Sequence, residues 1–442
     1  MTKANKLNEH GYFLDLEEGV VGRELFVSDD IYQREQEEVF ARAWLLVGHE
    51  SLVPNKGDFF TSRMGEESVL LTRDRKDEIH IFLNSCPHRG MKVCRYDEGN
   101  SRVLECPYHG WGFTLDGKLA AVPDEQAYGG KLEREKWGLT EVAKIANYKG
   151  SIWATWDPEA PEFLDYLGEA VVHLDAALDS RDGREGGSEV LPGIQKFIVP
   201  SNWKFGAENF VGDGYHNYSH KSVDMVGIGP SGEGRRDLEE LLSEKTVMRC
   251  WNLPRGHGGV SSLQMGDYPY APTYRDNPEI DDWFKYCYDE KKKRMGEKSR
   301  LIGAVGTIFP NMSFHATQPR SLFVWHPHGP NHMEVWRFYL VDKGTPDAVK
   351  EVLRHYYMRY SGPAGMTEQD DMENWGYATA ASRGVIARRR PYNYQLGLGA
   401  GSKLEGMPGK VSEELITEDN QRNMYATWDQ FMRGQSWSEI MS

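Results

Sequence analysis

The sequence predicts an α+β fold, with strands and helices in separate stretches of chain rather than in βαβ alternation. Three observations carry this. Short β-like runs separated by Gly, Asn and Asp fill the region after about residue 47: SVLLT at 68–72, IHIFL at 79–83 and SIWATW at 151–156. Helix-spaced segments lie on both sides of that region. A chain of 442 residues also exceeds one ordinary core, the length prior being roughly 150 residues per domain. The expected organisation is an N-terminal helical segment over 1–46, a small antiparallel β domain over 47–160, and a larger domain over 161–442 with an antiparallel sheet flanked by helices. The acidic, proline-containing WDPEAPEF marks the second boundary.

The elements follow in order. Residues 28–46 open on a Ser-Asp cap and space Ile31, Glu35, Val39 and Trp44 helically, which predicts a helix with an aromatic-rich face. LPGIQKFIVPSNW predicts a strand leading into a helix at about 203–222. LFVWHPHGPNHMEVWRFYLV reads as a hairpin around HGPN. Thr345-Pro346 reads as a cap with Pro at the first helical position, and Val349, Leu353 and Tyr357 carry that helix inward. Met424, Trp428 and Phe431 share one face of a closing helix over 417–433. There is no internal repeat and no low-complexity segment.

Composition excludes several classes. Lys plus Arg is 52 and Asp plus Glu is 67, a formal charge of −15. That field repels phosphate backbones, so neither nucleic acid nor an anionic membrane is the expected partner. Hydrophobic residues at 39% and aromatics at 12% supply enough core to exclude general disorder. A mean hydropathy of −0.63 and the lack of a long apolar run argue against a membrane span. The N-terminus has no apolar leader, so a cytoplasmic location is expected. Five cysteines, an odd count, fit a reducing compartment where cysteine is free, catalytic or metal-bound.

Three of those cysteines lie close together, and two belong to a pattern. SCPHRG at 85–90 and ECPYHGW at 105–111 give Cys86-x-His88, a seventeen-residue interval, and Cys106-x-x-His109, each pair in a Pro- and Gly-containing loop after a strand-like run. Two thiolates and two imidazoles suit zinc or iron–sulfur chemistry. The one-residue gap of Cys-x-His is too tight for the usual zinc hairpin. Two Cys on one iron and two His on the other is the Rieske arrangement, in which neutral imidazole raises the reduction potential. Structural zinc and accidental spacing of core residues are the alternatives. Cys94, Cys250 and Cys287 read as small core residues.

A second pattern lies in SNWKFGAENFVGDGYHNYSHKSV. Asn209, Asp213, His216 and His220 would form one polar stripe of a helix, which is costly on an inward face unless paired or metal-bound. His216 and His220 at i, i+4 can face one metal, with Asp213 as a hydrogen-bond brace for a ring nitrogen. Two ordinary structural histidines are the alternative. The carboxylate-rich Glu368–Asn374 run is the best source of a third ligand, although such runs are more often solvated helix starts.

Together these motifs resemble the alpha subunit of Rieske non-heme iron aromatic-ring-hydroxylating dioxygenases, over nearly the whole chain. The likeness runs from Ile31-Tyr32, Phe40 and Trp44 through CPHRG, CPYHGW, NWKFGAENFVGDGYH and GPAG…EQDDMENW to NQRNMYATWDQFM. It implies that Cys86 and Cys106 hold one iron of a [2Fe–2S] cluster and His88 and His109 the other. It further implies that His216, His220 and Asp371 hold a mononuclear Fe(II), with Asp370 the runner-up to Asp371. Asp213 would be the bridging carboxylate, with Asn209 beside the iron. One departure is the spacing: three residues separate the two histidines, where naphthalene- and biphenyl-type members commonly have four or five.

The resemblance also implies electrons from NADH through a reductase, often with a ferredoxin, and addition of dioxygen to an arene as a cis-dihydrodiol. A head-to-tail trimer and a small beta subunit are implied partners. Phe210 and Val211 are candidate pocket positions, as are Ser361 and Thr367, where naphthalene-type members carry large aromatics. Smaller lining there would admit a wider ring system or an aromatic carboxylate, for which Lys221, Arg235 or Arg236 would be basic partners. A monooxygenase or demethylase would use the same metals. A Rieske electron carrier would leave most of the chain and the His/Asp stripe unexplained, and a zinc hydrolase with a structural Cys/His site would be excluded by a brown colour from thiolate–iron absorption.

Overall fold

The computed structural model describes residues 7–220, 223, 225, 226, 246–264, 277–316, 319–403, 409–412 and 416–442. The chain forms two compact units, Phe40–Ala160 and Met1–Val39 with Pro161–Ser442. Among the described residues no helix is long and apolar enough to cross a membrane.

The smaller unit is built from antiparallel strands. Its four-stranded sheet runs in the order Ile79–Leu83, Glu67–Arg73, Asp58–Met64, Glu98–Asn100. Val69, Leu70 and Leu71 are all buried, so the Glu67–Arg73 strand is covered on both faces. A second sheet pairs Ser151–Thr155 with Lys144–Tyr148 on one side and Leu45–His49 on the other. A third joins Leu104–Glu105, Gly112–Phe113 and Leu119–Ala121. One core cluster, with Phe59, Leu70, Phe82, Trp111 and Phe113, also contains Cys86 and Cys106. The two Cys/His motifs are therefore rooted in the hydrophobic centre of this unit.

The larger unit is organised by a nine-stranded antiparallel sheet. Met333–Asp342 pairs with Ser321–Pro327 on one side and with Ser188–Val190 and Gln195–Val199 on the other. Pro327 lies opposite Met333, which closes the hairpin expected around HGPN. Helices Trp203–Phe210, Pro278–Met295, Asp347–Tyr360, Met366–Ser382 and Asp419–Met432 belong to the same unit. Gly206 has a positional reason: a Cβ there would lie 2.5 Å from the Trp325 ring. A larger residue would push the helix Trp203–Phe210 off the sheet.

Three expected helices differ from the sequence reading. The N-terminal one spans Asp29–Glu35 and ends in a π-helical turn, Gln36–Phe40. Trp44 is not part of it, because the fully buried Leu45–His49 run pairs as a strand and tertiary pairing overrides helical spacing. The helix expected at 203–222 stops at Phe210. Gly212 takes φ 141°, a value suited to glycine, and the chain re-forms as a 3-10 turn, Tyr215–His220. Asp347–Tyr360 starts one residue later than expected: Pro346 is the cap residue itself, and the Thr345 hydroxyl donates to the Asp342 carbonyl at 2.7 Å.

One buried carboxylate joins three helices of the larger unit. Glu35 Oε1 accepts from Lys204 Nζ at 2.5 Å and from Trp428 Nε1 at 2.7 Å, while Oε2 accepts from Trp203 Nε1 at 3.0 Å. Glu35, Lys204, Trp203 and Trp428 are all 0% exposed. Removing one partner of a buried ion pair strands the other charge, at a cost of about 3–5 kcal/mol. Glu35→Ala should lower unfolding free energy by about that amount in a urea titration. The double variant Glu35→Ala/Lys204→Met should recover part of the loss, and a single-variant loss within about 0.5 kcal/mol would contradict this role.

Candidate metal centres

In the smaller unit, Cys86–Met91 and Cys106–Trp111 are two copies of one turn. The Cys86 amide donates to the Met91 carbonyl at 2.8 Å and the Gly90 amide donates to the Cys86 carbonyl at 2.8 Å. In the second loop Cys106 and Trp111 are joined at 2.8 Å, and Gly110 and Cys106 at 2.9 Å. Gly90 and Gly110 sit at φ 70° and 71°, left-handed positions that the shared Cys-Pro-x-x-Gly pattern supplies. The histidine is the third residue of the first turn and the fourth of the second. The two imidazoles come together with ring centroids 4.5 Å apart.

Packing sets the orientation of both rings. Trp111 lies parallel to His88 at 4.9 Å and 4°, and Tyr108 stacks on His109 at 3.8 Å. His88 Nδ1 is buried without a hydrogen-bond partner among the described residues. Burial and the neighbouring His109 hold the His88 ring below the usual imidazole range, so it presents a neutral donor. Burial pushes the Cys86 thiol up, and the adjacent Cys106 side chain adds to that shift. Two crowded thiols and an orphaned imidazole nitrogen fit a metal group that takes thiolate and neutral imidazole. These four residues do not form a set of donors all within 4.8 Å of one another, as a single tetrahedral ion would require.

In the larger unit, donor atoms of His216, His220 and Asp371 do lie within 4.8 Å of one another. Asp371 Oδ1 is 3.4 Å from His220 Nε2 and 3.8 Å from His216 Nε2. The rings are nearly perpendicular, 4.9 Å apart. The opposite ring nitrogens are occupied. His220 Nδ1 faces Asp370 Oδ2 at 3.3 Å, and His216 Nδ1 meets the Asp213 backbone carbonyl. Asn209 Nδ2 stands 3.5 Å from His216 Nε2.

Asp213 corrects the sequence reading in one respect. Its carboxylate does not brace the His216 ring; Oδ1 accepts from the Tyr215 and His216 amides at 3.0 and 3.1 Å and so caps the 3-10 turn. The reason is the break at Gly212, which removes the continuous helix that a stripe requires. The acidic run is not a solvated start either, since Glu368 and Asp371 are buried. Burial, followed by the charges of Glu368 and Asp370, drives the Asp371 carboxyl well above the usual range, with Arg337 opposing. A carboxylate in that position is stabilised by a bound cation.

The candidate pocket positions divide. Phe210 packs on Phe323 at 4.5 Å and on Trp325 at 5.5 Å, next in sequence to Asn209. Val211 is fully buried and its carbonyl accepts from the Asn420 amide. Thr367 lies one turn before Asp371 on the same helix face. The Ser361 hydroxyl is engaged by the Tyr357 carbonyl at 3.2 Å and the Tyr339 hydroxyl at 3.1 Å. Lys221, Arg235 and Arg236 lie outside the described residues. Sequence reasoning missed Arg337, although a lone charge within the apolar run VWRFYLV was a signal, and it missed Glu208.

Comparison with known proteins covers both units. The chain matches the Rieske [2Fe-2S] domain over residues 43–148 and the ring hydroxylating alpha subunit (catalytic domain) over residues 168–434. It is 38% identical to the biphenyl 2,3-dioxygenase alpha subunit of Rhodococcus jostii (strain RHA1), over 97% of this chain and 92% of that one. It is 36% identical to a benzene 1,2-dioxygenase alpha subunit of Pseudomonas putida, over 98% of this chain and 96% of that one. Naphthalene 1,2-dioxygenase from Rhodococcus sp. bound to indole superposes with a TM-score of 0.81 at 32% identity, over 95% of this chain and 98% of that one. A quaternary ammonium Rieske monooxygenase, at 15% identity and a TM-score of 0.68, shares the fold.

Glu208 supports the helix that carries Asn209. Its Oε2 accepts from the Tyr394 hydroxyl at 2.8 Å and from the Tyr425 hydroxyl. Although an edge of the residue reaches solvent, burial pushes its carboxyl up to about 8 against the pull of those two donors. The folded protein therefore keeps a proton that the unfolded chain, with an ordinary value of 4.5, has released. Stability from this group is complete at low pH and is lost as pH rises between those values. Glu208→Gln should flatten the fall of Tm across about pH 5 to 8. An unchanged slope in calorimetry over that range would count against the assignment.

Proposed function

The chain belongs to the family of Rieske non-heme iron aromatic-ring-hydroxylating dioxygenase alpha subunits, and from that premise we propose a role for each set of its residues. The chain is the large oxygenase component of a multicomponent dioxygenase that adds both atoms of dioxygen to an aromatic ring, giving a cis-dihydrodiol. The observation that carries this is the convergence of His216, His220 and Asp371 in one unit, together with the paired Cys/His turns in the other.

Cys86 and Cys106 hold one iron of a [2Fe–2S] cluster and His88 and His109 the other, with Trp111 and Tyr108 orienting the imidazoles. His216, His220 and Asp371 hold a mononuclear Fe(II). When bound, these groups supply one-electron transfer and dioxygen activation, the second because two histidines and one carboxylate leave coordination positions open. The chain's own task is binding and orientation. Asp370 and the Asp213 carbonyl occupy the outer nitrogens of His220 and His216, which leaves both Nε2 atoms directed at Asp371. Phe210, Phe323 and Trp325 offer an aromatic surface beside Asn209 that suits an apolar ring. Val211, Ser361 and Thr367 complete the proposed lining.

The electrons come from NADH through a reductase, a ferredoxin or both. The assembly is a head-to-tail trimer of this chain with a small beta subunit, in the cytoplasm. Asp213 then has a second task. With Oδ1 spent on the turn, its other carboxylate oxygen accepts from the partner subunit's His109, while the Asp213 carbonyl on His216 Nδ1 completes the link to that ring.

Metal and sulfide analysis of the purified enzyme should find roughly three irons and two acid-labile sulfides per chain. Zinc without sulfide would overturn the reading. Asp371→Ala should remove the mononuclear iron and leave the cluster's visible absorption intact; if Asp370→Ala does this instead, the ligand is misassigned by one residue. Asp213→Asn should keep both metals and bind substrate, yet the pre-reduced cluster should reoxidise at least about 100-fold more slowly on rapid mixing with substrate and dioxygen. Normal reoxidation in that variant would refute the link.

A further inference from the structure

Arg337 is a guanidinium placed where a strand would ordinarily carry an apolar side chain. It lies on Met333–Asp342, with Phe323 opposite on one neighbouring strand and Gln195 opposite on the other. The residue is 3% exposed, and its charge sits 3.7 Å above the centre of the Phe323 ring. Nη2 is 3.1 Å from Glu368 Oε1, and Tyr339 borders the other side with its ring centre 5.7 Å away. Glu368 is itself fixed, because its Oε2 accepts from the Gly362 amide.

The Tyr339 hydroxyl also lies within reach of the guanidinium, yet the fork is not saturated. Arg337 Nε and Nη1 are buried without a hydrogen-bond partner among the described residues, and so are Glu368 Oε1 and Thr367 Oγ1. A structural ion pair saturates its donors, because each buried unmet N–H or oxygen carries a desolvation cost. Four such atoms on three neighbouring side chains mark a place built for something else. Thr367 and Glu368 precede Asp371 by four and three residues, so all three share one helix face. The patch is therefore about 5 Å along the helix from the metal-ligating carboxylate, roughly one aromatic ring away. Phe323, beneath the guanidinium, also packs against Phe210 in a tilted arrangement.

We propose that Arg337, Glu368 and Thr367 form a specificity-determining site for a hydroxyl group on the aromatic substrate, so that the chain's preferred substrates are hydroxylated arenes rather than bare hydrocarbons. This rests on the oxygenase reading above and names its substrate class. The complementarity is chemical. Arg337 Nη1–H, next to the Nη2 that faces Glu368, needs an acceptor, and Glu368 Oε1 needs a donor; one hydroxyl group accepts from the first and donates to the second. A carboxylate would satisfy the arginine but could not donate to Glu368, whose charge would repel it. An unsubstituted ring would leave all four atoms unmet. Arg337 positions the ring through that substituent and takes no part in the oxidation.

The test uses the intact, iron-loaded enzyme with its electron-transfer proteins and three probes: biphenyl, 3-hydroxybiphenyl and biphenyl-3-carboxylate. Equilibrium dialysis gives Kd, and product analysis gives kcat/KM. The wild type should favour 3-hydroxybiphenyl over biphenyl by at least about tenfold in both. Arg337→Met should abolish that ratio, with cluster absorption and iron content reporting that it has folded. Arg337→Lys keeps the charge but loses the fork and should reduce the ratio, as should Thr367→Val. Equal binding of biphenyl and 3-hydroxybiphenyl, tighter binding of the carboxylate, or an unchanged ratio in Arg337→Met would each overturn the proposal. Failure to oxidise any arene would sink the oxygenase reading instead, and the order of Kd values would still decide this one.

Discussion

A carboxylate with no access to water must be met by donors, and Glu35 is met by three from two other helices. That requirement sets the position of the helix Trp203–Phe210, because Trp203 and Lys204 are its first two residues. The same helix is gripped further along. Thr307 donates to the Ala207 carbonyl at 2.8 Å from the sheet side, and Glu208 receives two tyrosine hydroxyls from elsewhere in the unit. Asn420 then donates to the Val211 carbonyl, just where the helix has ended. The chain beyond that point starts from a backbone held on several sides. The turn that carries His216 and His220 inherits its position from those contacts, not from its own helical propensity.

The two candidate centres reach the same end from the same starting point, burial, to which the second adds like charge. In the Cys/His turns, burial disfavours charge, so His88 is held neutral and the Cys86 thiol is reluctant to ionise until a metal compensates. Around Asp371 burial again acts first, and like charge adds to it. Glu368, Asp370 and Asp213 all raise its carboxyl further, and Arg337 offsets part of that shift. Without a cation Asp371 favours its protonated form. Cys86 and Asp371 thus both resist ionising, and a bound metal group would reverse that preference.

Legibility in the sequence followed the range of the forces involved. The strands at 67–73, 79–83 and 151–155 are close to their expected limits, because apolar runs between turn residues report local structure directly. The hairpin around HGPN and the closing helix behave likewise. The polar stripe over Asn209, Asp213, His216 and His220 named residues that the structure does bring together, but by a geometry the chain does not have. The sequence reading gave Gly212 no weight as a break; the Asn420 contact that accompanies the break is 209 residues away in sequence. Glu35 shows the same limit. Its spacing placed it on the inner face, whereas its three donors come from Lys204, Trp203 and Trp428, which no window around residue 35 contains.

The Cys/His turns show how a small sequence difference becomes a chemical one. Both have the same closing hydrogen bonds and a left-handed glycine at the same place, so their backbones are equivalent. Had the histidine occupied the same position in both, the two rings would leave their loops in equivalent directions. The shift from third to fourth residue changes the direction of one ring relative to its own loop. The rings instead meet at 67° and 4.5 Å. Each then finds a different aromatic support, Trp111 lying nearly parallel to His88 and Tyr108 lying on His109. Tyr108 takes the third position in the second loop, where His88 stands in the first. The exchange thus supplies both the ligand geometry and the ring that steadies it.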